Sequence, residues 1–174
     1  MQKSKLDRFI QKYNLGGNVN SVKWKSDGSV LSTSFVTPDK SLLGNVKVDK
    51  FSFDSAELGI YQTDQLKSLI GVLGDDISLD LTSAGDRAIS LNVKNGAISI
   101  DYVLSDLSVI PDPPALKRLP EFGTQIKLDT KFINTFVKGK AALSDIDSFT
   151  ILNGKSGIEV VIGYSSTNTN RVNI

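Results

Sequence analysis

Residues 5–10 of this chain read Lys5-Leu6-Asp7-Arg8-Phe9-Ile10, and residues 127–133 read Lys127-Leu128-Asp129-Thr130-Lys131-Phe132-Ile133. Each stretch opens a short amphipathic, lysine-bearing helical pattern. Each is followed by an apolar run, a Gly turn, a second apolar run and a polar Thr/Asn/Asp loop. Each copy then reaches a strand ending in Val46-Lys47-Val48 or Val172-Asn173-Ile174. A repeat on this scale constrains the fold more than any local propensity does. Both copies must build the same supersecondary unit and bury the same kind of face.

The 174 residues allow one domain or two small ones. An apolar share of 40% supports a core, and a charged share of 22% is not that of a disordered tail. The chain has no Cys, so neither a disulfide framework nor a Cys-ligated metal is available. It also has no His, which removes the commonest general base, the commonest zinc ligand and every Ser-His or Cys-His pair. Most hydrolase mechanisms would then have to work without their usual parts, and no catalytic, cofactor or metal site is expected.

The net charge of +1 means that any nucleic-acid role must come from where charges sit, not from their sum. No apolar run is long enough to span a bilayer, so no membrane association is expected. The N-terminal Met1-Gln2-Lys3-Ser4-Lys5 leads straight into a helical pattern, and the expected compartment is the cytosol.

The spacing of Leu6, Phe9, Ile10 and Tyr13 predicts a helix over about 4–13, ended by Gly16 and Gly17. Strands are expected at 20–25, 29–37, 43–50 and 57–61, with Ser26-Asp27-Gly28 as a hairpin turn. Trp24, between Lys23 and Lys25, reads as a half-buried packing residue and not as a base-stacking platform. A second helix over about 62–73 carries Leu66, Leu69, Ile70 and Leu73. An antiparallel meander follows, from Ile77 to Tyr102, with Asn95-Gly96 at one of its turns. Four of the five prolines lie within 104–122, at Pro111, Pro113, Pro114 and Pro120, which reads as an extended connector. The second copy should then give a short strand near 124–128 and a helix over about 129–140. Strands follow at 147–153, 157–164 and 170–174.

Helical rotation groups Lys5, Arg8 and Lys12 on one side of the first helix, and Lys131 and Lys138 opposite the Phe132 stripe. Lys67 flanks the middle helix. Cations facing outward from repeated helices suit non-specific phosphate contact. The same pattern also describes plain solvated helix faces, and periodicity does not separate the two readings. Carboxylates form no calcium-loop spacing, and no Gly-rich phosphate loop occurs.

Helix, strands, helix, antiparallel meander, connector and repeat together resemble the DNA sliding clamps. The likeness is strongest to the DNA polymerase processivity factors of T-even type bacteriophages. It is carried by Lys3-Ser4-Lys5-Leu6-Asp7 and by residues 51–61 (FSFDSAELGIY) running into 66–73 (LKSLIGVL) and Asp75-Asp76. The proline-rich connector before Lys127-Leu128-Asp129 and residues 153–162 (NGKSGIEVVI) complete it.

The resemblance implies an α+β clamp fold, with antiparallel sheets bearing amphipathic helices on one face. It implies a first clamp domain over 1–110, a connector over 111–122, and the first half of a second clamp domain over 123–174. It further implies a homotrimeric ring when full length, double-stranded DNA through the hole, a clamp loader, and a DNA polymerase tethered near the connector, all in the cytoplasm of an infected host cell. The pore-facing candidates are Lys5, Arg8, Lys12, Lys67, Lys131 and Lys138, with Lys3 and Lys140 at helix ends less central. Family members continue past the equivalent of Ile174, so a truncated second domain is expected, whose unfinished sheet would expose an edge and associate. The alternative is a virion structural or adhesion β-sandwich module, which would share the strand-rich composition. A small-molecule-binding β protein would need a deep apolar pocket.

Overall fold

A computed structural model describes residues 1–115, 118, 121–154, 157–167 and 169–174. The chain forms two compact units, Met1–Lys117 and Arg118–Ile174.

In the first unit, helix α1 (Lys3–Asn14) buries Leu6, Phe9, Ile10 and Tyr13, the four residues of its apolar stripe. The helix stops because Leu15 turns left-handed (φ 50°), with Gly16 (φ 71°) and Gly17 (φ 98°) following. Asn14 fixes this exit: its side chain accepts from the Gly17 N–H at 3.0 Å and donates to the Val19 carbonyl at 3.0 Å. Strands β1 (Val22–Ser26), β2 (Val30–Val36) and β3 (Leu43–Asp49) then run as an antiparallel meander. The β1–β2 turn is held by Asp27, whose carboxylate accepts from the N–H groups of Ser29 (2.9 Å) and Val30 (2.8 Å). Strand β4 (Ala56–Ile60) pairs with the free side of β1, giving the order β3-β2-β1-β4.

Helix α2 (Thr63–Gly71) follows β4 at once and buries Leu66 and Ile70. Strands β5 (Ser78–Ala84), β6 (Arg87–Asn95) and β7 (Ile98–Val103) form a second antiparallel sheet in that order. One core joins these parts, with Trp24 of β1, Leu66 of α2 and Leu91 of β6 all inside it. Trp24 is fully buried, deeper than the half-burial its alternation with lysines suggests. Phe9, Tyr13 and Trp24 meet edge to face with centroids 5.4–6.4 Å apart. Each such pair adds roughly 0.5–1.5 kcal/mol beyond its area burial.

The two halves of this unit interlock. Residues before α1 pair with the start of the second meander, through Gln2 bridging Asp76 and the Ile77 N–H donating to Met1 at 2.9 Å. The strand before α2, β4, pairs in turn with β1 of the first meander. The helices run antiparallel: Lys3 reaches the C-terminal end of α2, and Asn14 reaches Asp64 near its start.

The second unit contains helix α3 (Thr130–Ala142) and strands β8 (Phe149–Gly154), β9 (Gly157–Ile162) and β10 (Val172–Asn173), ordered β10-β9-β8. Asp129 caps α3 by accepting from the Phe132 N–H at 2.7 Å. Gly139 lets the helix sit tightly on the sheet: a Cβ there would lie 3.1 Å from both Ile162 and Val172.

Two local expectations change. Lys127 and Leu128 precede α3, so the repeated Lys-Leu-Asp tripeptide lies inside one helix and ahead of the other. The helices themselves align through Lys5 with Lys131 and Lys12 with Lys138. Residues 124–128 form no ladder, because among the described residues no neighbouring strand is there to pair with them. Of the connector, Leu116, Lys117, Leu119 and Pro120 lie outside the described residues. Pro111, Asp112 and Pro114 lie against the first unit, beside Asn18, Val36 and Pro38.

Candidate nucleic-acid interface

On α1, Arg8 and Lys12 are exposed and one turn apart, and Lys5 is half-buried on the same flank. The Lys5 ammonium donates to the Lys50 carbonyl at 2.8 Å, so part of its hydrogen-bonding capacity is already used. Lys67 is exposed on α2, one turn beyond Thr63, which contacts Tyr13 of α1. On α3, Lys131 and Lys138 are exposed two turns apart.

The two helix-end lysines do something else. Lys3 donates to the carbonyls of Leu73 (2.9 Å) and Gly71 (3.4 Å), and Lys140 donates to the Ser144 carbonyl (3.1 Å). Each satisfies carbonyls at or just past a helix C-terminus, where a cation is also favoured by the helix dipole.

The pairing of charges differs between helices and strands. Lys23 meets Asp112 at 2.8 Å, Lys25 meets Glu57 at 3.1 Å, Lys94 meets Asp80 at 3.6 Å, and Arg87 meets Asp106. Lys47, on edge strand β3, has no such partner among the described residues. Arg8, Lys12, Lys67, Lys131 and Lys138 likewise form no ion pair among the described residues. Asp7 and Asp64 dilute the positive field on α1 and α2, a feature that counting lysines along the helix does not reveal. The Lys23 ammonium, hydrogen-bonded to Asp112, holds that carboxyl below the usual range. Hydrogen bonds from Ser108 do the same for Asp106.

Among the described residues, the arrangement offers unpaired cations on helix surfaces and no assembled nucleophile or base. Mobile lysine and arginine heads in water attract phosphates without reading bases. Among the described residues, no cluster of three or more acidic side chains could hold a metal ion. Among the described residues, no helix is long and apolar enough to cross a membrane.

No family model matches the chain, and no curated protein matches it. Solved structures do. The pol III beta of Caulobacter crescentus aligns with a TM-score of 0.62 at 12% identity, over 93% of this chain and 46% of that one. The fold is that of the DNA sliding clamps. A Bartonella birtlesii sliding clamp, bound there to griselimycin, aligns with a TM-score of 0.61 at 8% identity, over 93% of this chain and 45% of that one. The PCNA2–PCNA3 complex of Sulfolobus tokodaii gives a TM-score of 0.56 at 12% identity, over 100% of this chain and 70% of that one. The chain spans less than half the length of these two bacterial clamp chains. At such identities the likeness lies in the clamp architecture of helices backed by antiparallel sheets, which a β-sandwich module would not share.

Proposed function

We infer that this chain acts as a DNA sliding clamp of the T-even phage type, a non-enzymatic scaffold that surrounds duplex DNA and tethers a replicative polymerase. The observation that carries this reading is the division of charge on a clamp fold. Four strand cations are neutralised by carboxylates, while Arg8, Lys12, Lys67, Lys131 and Lys138 on the helices are unpaired among the described residues. A surface meant to slide needs weak, sequence-blind attraction, and scattered exposed cations supply that better than a deep basic cleft.

In this reading, residues 1–110 form a first clamp domain, 111–122 a connector and 123–174 half of a second. The full-length protein forms a homotrimeric ring in the cytoplasm of an infected host cell, opened by a clamp loader. The polymerase docks a short peptide near the connector. A groove of about 790 Å³ beside Val19, Val36, Pro38, Pro111 and Pro114 offers the apolar lining for it.

Reversing Arg8, Lys12 and Lys131 to Glu tests the DNA assignment. Duplex binding at low salt should fall to background equally for two unrelated sequences, with the far-UV circular dichroism unchanged. Binding that survives the triple reversal would sink the assignment.

A further inference from the structure

One side chain ties the β6–β7 hairpin to the turn that follows α2. Asn95, half-buried, accepts from the Gly74 N–H at 3.3 Å and donates through Nδ2 to the Asp76 carbonyl. Both partners are backbone groups of fixed polarity. The side chain must therefore supply one acceptor and one donor, which an amide does. The turn that it holds is a crossing point of the first unit. Buried Leu73 and Ile77 flank it, and the Lys3 ammonium sits on the Leu73 carbonyl at 2.9 Å. The Lys3 N–H donates to the Asp75 carbonyl at 2.7 Å, and Gln2 bridges Asp76.

Gly96 follows Asn95, in the two-residue loop left by the pairing of Asn95 with Ile98. Its φ is 56°, and the place where a Cβ would stand is open. A glycine nitrogen is the least shielded backbone nucleophile that can follow an asparagine. Attack of the Gly96 nitrogen on Cγ of Asn95 forms a cyclic succinimide. The Cγ–Nδ2 bond breaks, and the amide leaves as ammonia with the proton that Gly96 gives up. Water then opens the ring to aspartate or isoaspartate, and no other reactant is required. Asn153-Gly154 is the other such dipeptide, but among the described residues its side chain makes no hydrogen bond that joins two elements.

We propose that Asn95 is a deamidation site whose reaction the folded chain holds back, and whose product opens the joint between the β6–β7 hairpin and the α2 exit. While both hydrogen bonds hold, the Asn95 amide is engaged by Gly74 and Asp76, so reaction with Gly96 requires local opening. Once converted, the joint does not reclose in the same form. A carboxylate still accepts from Gly74, but it has no donor for the Asp76 carbonyl and sets negative charge against an acceptor. Asp75 and Asp76 already place two carboxylates on the same turn. The cations closest in the fold are engaged, Lys3 on the Leu73 carbonyl and Lys94 with Asp80. Isoaspartate also lengthens the backbone at a paired ladder position. The inference concerns this joint alone and does not rest on DNA binding.

Peptide mapping by mass spectrometry of the full chain, held at mildly alkaline pH, follows the conversion of Asn95 to the acid. In the folded chain it should run about tenfold slower than in guanidinium chloride at the same pH and temperature, the protection that two hydrogen bonds supply. Gly74→Ala puts a Cβ 3.0 Å from Oδ1 of Asn95 and should speed the reaction in the folded chain severalfold. Asn95→Asp, which installs the product directly, should lower the denaturant midpoint while the far-UV circular dichroism stays unchanged. Equal rates in the folded and unfolded chain overturn the proposal, whether or not Gly74→Ala folds. So does a folded-chain rate that Gly74→Ala leaves unchanged, or an Asn95→Asp chain as stable as the wild type.

Discussion

The Trp24 indole N–H donates to the Tyr13 hydroxyl at 3.2 Å, and that hydroxyl also meets the Thr63 hydroxyl at 3.2 Å. One buried oxygen thus ties together α1, the first sheet and α2, so that the helix layer is fixed on the sheet that backs it. Tyr13→Phe leaves the ring packing in place but strands the indole N–H, and a buried unsatisfied donor costs about 1–3 kcal/mol. Urea unfolding followed by the fluorescence of Trp24, the sole tryptophan, should show a lower midpoint with an unchanged slope.

Burial pushes the Tyr13 hydroxyl up from its ordinary value, and half-burial does the same for Tyr102. A raised pKa in the folded state means that the neutral form is bound preferentially. The stabilisation is therefore complete below about pH 10, the ordinary tyrosine value, and is lost as pH climbs above it. Thermal melts should weaken above that pH. The loss should be shallower in Tyr13→Phe, which keeps only the Tyr102 contribution.

Leu15 ends α1 with φ of 50°, a left-handed conformation that a side chain with a Cβ resists. Its side chain is 40% exposed and lies outside the buried core, so replacing it removes only peripheral packing. Leu15→Gly should stabilise the chain by about 1 kcal/mol, seen as a higher melting temperature.

Gly59 on β4 sits where a Cβ would lie 2.3 Å from the Ser105 carbonyl oxygen. That contact belongs to a bridge in which the Ser105 N–H donates to Gly59 at 2.9 Å and the chain after β7 covers the edge of β4. Gly59→Ala should cost roughly 1–3 kcal/mol through overpacking, readable as a lower unfolding midpoint. Gly71→Ala, with open space around it, should have no such effect.

The sequence made the first unit legible because its signals are local. The stripe of Leu6, Phe9, Ile10 and Tyr13 has helical period, and Asp27-Gly28 and Asn95-Gly96 mark turns. The second unit was less so. Its Lys127-Leu128-Asp129 copies the letters of Lys5-Leu6-Asp7 but lies ahead of the helix, since Asp129 is used as a cap. The apolar pattern near 124–128 predicts a strand, yet a ladder needs a neighbour, which no local pattern supplies. Side-chain reach was hidden as well: Lys3, Lys5 and Lys140 look like free cations along the chain, but each donates to a backbone carbonyl. The pairing of Lys23 with Asp112 spans most of the first unit and could not be read from spacing.

The most direct test of a DNA-facing helix surface is a nuclear magnetic resonance titration of the chain with a short duplex of arbitrary sequence at low salt. Small shifts that follow fast exchange are expected, centred on Arg8, Lys12, Lys67, Lys131 and Lys138, unchanged for a second sequence and erased by added salt. Shifts centred instead on the strand cations Lys23, Lys25 and Lys94, or shifts that depend on the base sequence, would contradict it.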